Sequence, residues 1–282
     1  MQTAPRPPSD TLPATAPDAP RVDTHAHAYT LSMPVVPEAW HKPTTEATVE
    51  QYLAELDRHG VRYGVLSAAT LFGTDNAYGL DACRQYRPRL KTTVIVAPDC
   101  SAAALRQMAD AGAVGVRFQW RFVPNPPDLS SEPYRSLLRR IADLGWHVQL
   151  HDDSFRLPAY LDALERAGVK IVVDHYGRPD DRLGIACPGF QRLLRSVQTG
   201  RTWVKLSSFF RLQSPALASQ AAAALLQHAG PERLMWGSDW PFNAFESSMS
   251  YERALAQLAL DVPDPETRRR IASETPWSFY FG

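Results

Sequence analysis

The stretch Leu157 to Ala167, then Gly168, then Lys170–Ile171–Val172–Val173–Asp174–His175–Tyr176–Gly177–Arg178–Pro179, decides the fold. An amphipathic segment closes at a glycine, where a helix C-cap takes a left-handed residue. The apolar run that follows has the length of a strand buried on both faces. The same unit recurs along the chain. Val49 to His59 closes at Gly60 before Arg62–Tyr63–Gly64–Val65–Leu66. Ser101 to Ala111 closes at Gly112 before Val114–Gly115–Val116–Arg117–Phe118. Tyr134 to Leu144 closes at Gly145 before His147–Val148–Gln149–Leu150. Less punctuated runs at Arg21–Asp23, Leu90–Ala97, Thr202–Leu206 and Arg233–Trp236 bring the strand candidates to eight. Eight strand–helix alternations predict a (β/α)8 TIM barrel, for which about 250 residues is usual. A doubly wound open sheet would carry a glycine-rich phosphate loop after its first strand, and this sequence has none there.

The rest of the composition narrows the partners. The 282 residues include 30 Lys or Arg and 30 Asp or Glu, a net charge of zero. That balance argues against nucleic acid or an anionic membrane as the main partner, since both demand a basic surface. No apolar run is long enough to span a bilayer. Cys83, Cys100 and Cys187 are odd in number and unpaired in spacing, so neither a disulfide framework nor a zinc ribbon is expected. Residues 1–20 hold six prolines and read as a disordered tail ahead of a single barrel domain over 21–282. The tail lacks the apolar core of a secretory signal, which makes the cytoplasm the expected compartment.

A barrel of this kind works at the C-terminal ends of its strands. Strand one leads into Val22–Asp23–Thr24–His25–Ala26–His27, and histidines at i and i+2 of an extended chain share a side. Strand five leads into His151–Asp152–Asp153, strand six into Asp174–His175, and strand eight into Gly237–Ser238–Asp239–Trp240–Pro241. Four of the eight histidines and one carboxylate therefore gather at strand ends. His41, His59, His147 and His228 fall in a loop, near helix ends or at a strand start, where a solvated or capping role is expected.

Local motifs sharpen this pattern. They are Phe72–Gly73–Thr74–Asp75–Asn76, Gly115–Val116–Arg117–Phe118, Leu144–Gly145–Trp146–His147–Val148, Val173 to Asp180, and Trp236–Gly237–Ser238–Asp239–Trp240–Pro241. With the order His-x-His, His, His, Asp they resemble the amidohydrolase superfamily, within it amidohydrolase-related family 2 and its pyrone-dicarboxylate lactonase branch, from about Val22 to Tyr280. The resemblance implies that Asp239 is the base for the attacking water. It implies that His25, His27 and His175 polarise a lactone carbonyl without a metal, and that Arg117 and Arg211 hold substrate carboxylates. Arg121, Arg178 and Thr70 are further substrate-binding candidates.

Departures from the branch matter too. It has Tyr where this chain has His151, and His where this chain has Phe242. No substrate-binding Tyr is evident around Trp40–His41–Lys42–Pro43. Tyrosine is a poor ligand at neutral pH and imidazole a common one. The exchange at 151 therefore leads us to expect one divalent metal, zinc by ligand type, on His25, His27, His151 and Asp239. His175 would then be free to shuttle protons. The opposing expectation is that His151 hydrogen-bonds the substrate, with Asp152 or Asp153 orienting its ring. The function expected is hydrolysis of a small anionic lactone of the pyrone-dicarboxylate or muconolactone type. A zinc-dependent decarboxylase would use the same residues; a non-catalytic anion-binding barrel would have no need of Asp239.

Overall fold

Strands and helices alternate along the whole of residues 21–282, which a computed structural model describes; the tail expected over residues 1–20 lies outside them. The strands are β1 Val22–Ala26, β2 Tyr63–Leu66, β3 Leu90–Val94, β4 Ala113–Gln119, β5 His147–His151, β6 Lys170–Val173, β7 Thr202–Leu206 and β8 Leu234–Trp236. They pair in parallel in chain order, each with its sequence neighbour. The helices between them are α1 Val49–Arg58, α2 Ala77–Gln85, α3 Ala102–Ala111, α4 Tyr134–Asp143, α5 Leu157–Ala167, α6 Pro188–Val197, α7 Pro215–Ala229 and α8 Tyr251–Asp261. The expected TIM barrel is the observed one. Among the described residues no helix is long and apolar enough to cross a membrane.

Local chemistry explains the alternation. The glycines after four of the predicted helices, Gly60, Gly112, Gly145 and Gly168, all have positive φ, the conformation that ends a helix without a Cβ clash. Each helix turns one apolar stripe inward: Leu137, Leu138 and Ile141 on α4, Phe190, Leu193 and Leu194 on α6. Two strand ends differ from the sequence reading by more than one residue. Strand β1 continues to Ala26, so His25 lies within the strand and His27 just beyond it, while β3 stops at Val94.

The seam between β8 and β1 closes the barrel at the residues that matter for chemistry. Thr24 Oγ1 donates to the Trp236 carbonyl at 2.7 Å. Beyond the strand ends, Asp239 N donates to the His25 carbonyl and His27 N to the Trp240 carbonyl, both at 2.7 Å. Buried Asp23 accepts from Ser238 N at 2.9 Å, Ser238 Oγ at 2.6 Å and the Tyr251 hydroxyl at 3.1 Å. The closure thus fixes the loop of Asp239 against the strand of His25.

The interior is layered. An apolar layer contains Val22, Val65, Val172, Met235 and Tyr280. Fully buried polar groups also line the barrel: His147 on β5, Lys205 on β7, then Asp174 and His25. His147 is no solvated strand end, as its position in the sequence suggested, but a buried ring flanked by Phe279 and Tyr280. Burial, with Lys205 adding to it, pushes its pKa down to about 3. Burial likewise pushes His25 down to about 3, against the pull of Asp174.

These two rings predict an acid-sensitive fold. Below a pH of roughly 6.5 the unfolded chain protonates imidazoles that the folded barrel keeps neutral, so stability falls as pH falls. The loss from two such rings is about 2–3 kcal/mol between pH 6 and 5. Urea denaturation at a series of pH values measures it. A flat profile over that interval would mean that the rings are protonated or solvated.

Candidate active site

A cavity of about 380 Å³ opens among the strand ends, lined by His27, Thr70, His151, His175, Arg211 and Asp239 among others. The backbone beneath it is unusual. Among the described residues seven non-glycine positions have left-handed φ, namely His175, Tyr176, Arg178, Ser208, Asp239, Phe242 and Ala244. All follow β6, β7 or β8. Such conformations cost roughly 1–3 kcal/mol each and concentrate where side chains must be aimed. Here they turn His175, Ser208 and Asp239 toward one point.

Asp239 is at that point. Its Oδ2 accepts from Ser208 Oγ and from Arg211 Nε, the latter at 2.7 Å. Its Oδ1 lies 3.4 Å from His27 Nε2 and 3.6 Å from His25 Nε2. Burial alone would raise its pKa, but Arg211 and the facing imidazoles outweigh burial and hold it well below the usual carboxylate range. At neutral pH it is an anion.

The histidines can be read nitrogen by nitrogen. His27 Nδ1 lies 2.7 Å from the Ser67 carbonyl, which can only accept. The Nδ1 therefore carries hydrogen, and Nε2 is the atom offered to the site. His25 Nδ1 lies 3.2 Å from the charged Asp174 Oδ1, but neither buried ring nitrogen makes a hydrogen bond of ordinary geometry. His175 Nδ1 pairs with the Ser207 hydroxyl at 2.8 Å. Burial, reinforced by the neighbouring His25, keeps His175 neutral well below the ordinary histidine range.

Arg117 and His151 stand apart from expectation. The Arg117 side chain is only 1% exposed. Its Nε and Nη2 donate to Asp174 at 3.3 and 3.1 Å, and its Nη1 to the Ala68 carbonyl and Gln119 Oε1, both at 2.8 Å. Its Nη2 also approaches His151 Nδ1 at 3.4 Å. All five N–H groups therefore have protein acceptors, so Arg117 is a strut of the site with no donor left over for a carboxylate. A guanidinium can only donate, so His151 Nδ1 accepts. Burial, then His175 and Arg117, keeps the ring neutral. The hydrogen consequently sits on Nε2, a buried atom with no protein partner.

That proton placement corrects the four-ligand expectation. Among the described residues His25, His27 and Asp239 bring one ligand atom each within 4.8 Å of one another, and His151 is not among them. A second such group, His25, Asp174 and His175, is less suited, because both Asp174 oxygens are already taken by Gln149 and by Arg117 or His25. Nor do Asp152 or Asp153 orient His151. Asp152 accepts from the Tyr160 hydroxyl, and Asp153 from Arg121 and Arg178.

The remaining candidates do face the cavity. Thr70 Oγ1 donates to Gln119 Oε1 at 3.1 Å. Arg211 is shared: Nε is on Asp239, Nη2 is on the Asn243 carbonyl at 2.9 Å, and the guanidinium lies 5.2 Å from the Phe245 ring centre. Arg121 and Arg178 reach the cavity from opposite sides of Asp153. Trp40 and Phe122 stack at 5.2 Å and bridge two loops at the cavity's edge. Sequence reading gave no role to Asp174, Gln149, Ser207, Ser208 and Lys205, and offered Asp153 only as a residue orienting His151. Asp174 stood directly before His175 and Asp153 two residues after His151, so their spacing was the only available signal.

The chain is similar over most of its length to known proteins. The chain is 28% identical to 4-sulfomuconolactone hydrolase of Hydrogenophaga intermedia, over 90% of this chain and 86% of that one. It is 29% identical to a 2-pyrone-4,6-dicarboxylate hydrolase of Comamonas testosteroni, over 98% of this chain and 93% of that one. It superposes with a TM-score of 0.89 on a probable 2-pyrone-4,6-dicarboxylic acid hydrolase of Acinetobacter baumannii with citric acid bound, at 32% identity over 92% of this chain and 98% of that one. The Amidohydrolase family model matches residues 22–282, and the chain belongs to that family.

Proposed function

We propose that the protein opens the ring ester of a small lactone bearing anionic groups, by attack of water on the carbonyl carbon. The observation that carries this reading is Asp239, an ionised carboxylate with Oδ2 pinned by Arg211 and Ser208 and Oδ1 turned to two imidazoles. Its relatives' names point to lactones with carboxylate or sulfonate substituents, and the arginines in the cavity suit either.

The chemistry follows from the residues. Asp239 Oδ1 takes a proton from water as the water oxygen bonds to the lactone carbonyl carbon. The carbonyl oxygen becomes an oxyanion, for which His151 Nε2–H is an unspent donor. When the carbonyl re-forms, the ring C–O bond breaks and the ring oxygen takes up a proton, delivered from Asp239 or through His175. The product is one new carboxylic acid, which loses its proton to solvent at neutral pH, and one hydroxyl (or its keto form). Ser208 and Arg211 keep Asp239 from rotating between the two proton transfers.

His25, His27 and Asp239 also fit a divalent metal, zinc by ligand type, as two imidazoles and a carboxylate with an open position. His25 Nε2 is buried without a partner, the charge of Asp174 lies 3.2 Å from the far nitrogen of that ring, and the Ser67 carbonyl holds the far nitrogen of His27. Such contacts orient metal-bound histidines. When bound, the ion would polarise the carbonyl and acidify water.

Three measurements test the reading. Asp239→Asn is nearly isosteric and should keep the fold while turnover of a carboxylated lactone falls by about 10³ or more. Near-normal turnover would remove Asp239 as the base. His151→Phe should lower kcat by roughly 10²–10³ through the lost oxyanion contact; an unchanged kcat would make His151 structural. For the metal, elemental analysis should find close to one zinc per chain, and prolonged chelation should remove activity that zinc restores. Full activity in metal-free protein would leave an all-protein oxyanion site. Release of carbon dioxide in place of acid from a ring-opened product would identify a decarboxylase.

A further inference from the structure

Asp153 lies two residues beyond the end of β5, and a single oxygen of its carboxylate holds two arginines. Arg121, from the loop after β4, donates Nε to Asp153 Oδ1 at 2.9 Å. Arg178, from the loop after β6, donates Nε to the same oxygen at 2.9 Å. Both side chains line the cavity, and among the described residues neither has a protein acceptor for its terminal nitrogens. A carboxylate that took both arginines by their forks would bury the recognition ends. Held by Nε instead, each fork is left over for something else.

We propose that Asp153 is a positioning residue that joins Arg121 and Arg178 into one two-pronged receptor for an oxyanion substituent of the substrate, remote from the ester that reacts. The inference rests on the lactone-hydrolase reading only for the identity of the molecule that carries the substituent. Three further features support a built receptor. Arg178 sits at φ 43°, left-handed backbone that a β-carbon resists and that turns the side chain inward. The Arg178 carbonyl accepts from Ser154 N at 3.2 Å, which ties the loop of Arg178 to the loop of Asp153. Burial lowers the Arg178 pKa and the charge of Arg121 lowers it further, so one carboxylate leaves the pair short of negative charge.

The arrangement divides labour among the arginines of the cavity. Arg117 has no free donor, and Arg211 serves the catalytic carboxylate. Recognition of the remote anion then falls on Arg121 and Arg178. The shared chemistry is an oxyanion, a carboxylate or a sulfonate. Four terminal nitrogens can donate to either, since one fork fills a planar carboxylate and two can share three sulfonate oxygens.

The test uses full-length protein and inorganic sulfate as the probe, titrated calorimetrically at low ionic strength. Wild type should bind sulfate, and Arg178→Met and Asp153→Asn should each weaken binding by about tenfold or more. Asp153→Glu should restore it to within about threefold. The sign for Asp153→Asn is decisive. Removing a negative charge beside two fixed arginines would tighten anion binding if Asp153 merely neutralised them. Tighter or unchanged binding therefore overturns the positioning role, provided that Tm is held. With a turned-over lactone acid, Asp153→Asn should raise KM about tenfold and leave kcat within about threefold; equal losses in both would overturn it. Carboxylated and sulfonated lactones compared on wild type and Arg178→Met tell which oxyanion the receptor takes. Sulfate binding that weakens in these variants, in a protein that hydrolyses no lactone, would remove the hydrolase reading and leave the receptor standing.

Discussion

Asp174, a carboxylate buried within the barrel, orients two of the imidazoles of the site, one directly and one through Arg117. Burial would raise its pKa, yet His25, Lys205 and Arg117 reverse the effect and keep it ionised. Its oxygens lie 3.2 Å from His25 Nδ1 and 3.1 Å from Arg117 Nη2, and both are within 3.0 Å of Gln149 Nε2. Two consequences run outward from it. Toward β1 it draws the His25 hydrogen to Nδ1, so Nε2 faces Asp239. Toward β4 it fixes Arg117, and Arg117 in turn makes His151 an acceptor at Nδ1 and a donor at Nε2. One buried anion thereby decides which face of two different imidazoles meets the substrate. Removing a single partner from such a buried cluster leaves an uncompensated charge and is severely destabilising. The cluster is for that reason a unit of fold and function together.

The same logic explains where the strain lies. The loops after β6, β7 and β8 carry every left-handed non-glycine residue described, and they also carry His175, Arg178, Ser208 and Asp239. A relaxed backbone at these places would point the side chains elsewhere. The seam between β8 and β1 holds the strained Asp239 by its own amide, through the His25 carbonyl at 2.7 Å. Closure of the barrel and aim of the base are one hydrogen-bonded arrangement.

The architecture was legible because its signals are local. Gly168 after a helix and Lys170–Ile171–Val172–Val173 after the glycine can be read without knowing what they pack against, and the barrel follows from repetition. The positions of His25, His27, His175 and Asp239 were legible for the same reason, since a TIM barrel assigns chemistry to strand ends. What stayed hidden depends on register across strands. Arg117 on β4 pairs with Gln149 on β5, and that register carries its guanidinium to Asp174. His151 lines the cavity as expected, but it stands outside the group formed by His25, His27 and Asp239, and the proposed mechanism uses it as a hydrogen-bond donor. No periodicity in one segment encodes a tautomer; that is set by a partner 34 residues away.

The division of Asp239 into two differently held oxygens constrains the chemistry further. Oδ2 is occupied by a guanidinium and a hydroxyl, so Oδ1 alone remains for a proton or a cation. His27 Nε2 at 3.4 Å cannot keep a bare lone pair against an anionic oxygen without a positive charge between or on them. A metal ion would supply it; without one, a hydrogen between His27 Nε2 and Asp239 Oδ1 joins the two atoms, and the oxyanion is met by the His151 N–H. With a metal, the same two atoms become ligands and the His151 N–H remains available beside them. Both cases need Arg211 on Oδ2, because it prevents Asp239 from turning its second oxygen inward. The cation that completes the site can change, and the side chains that frame it do not.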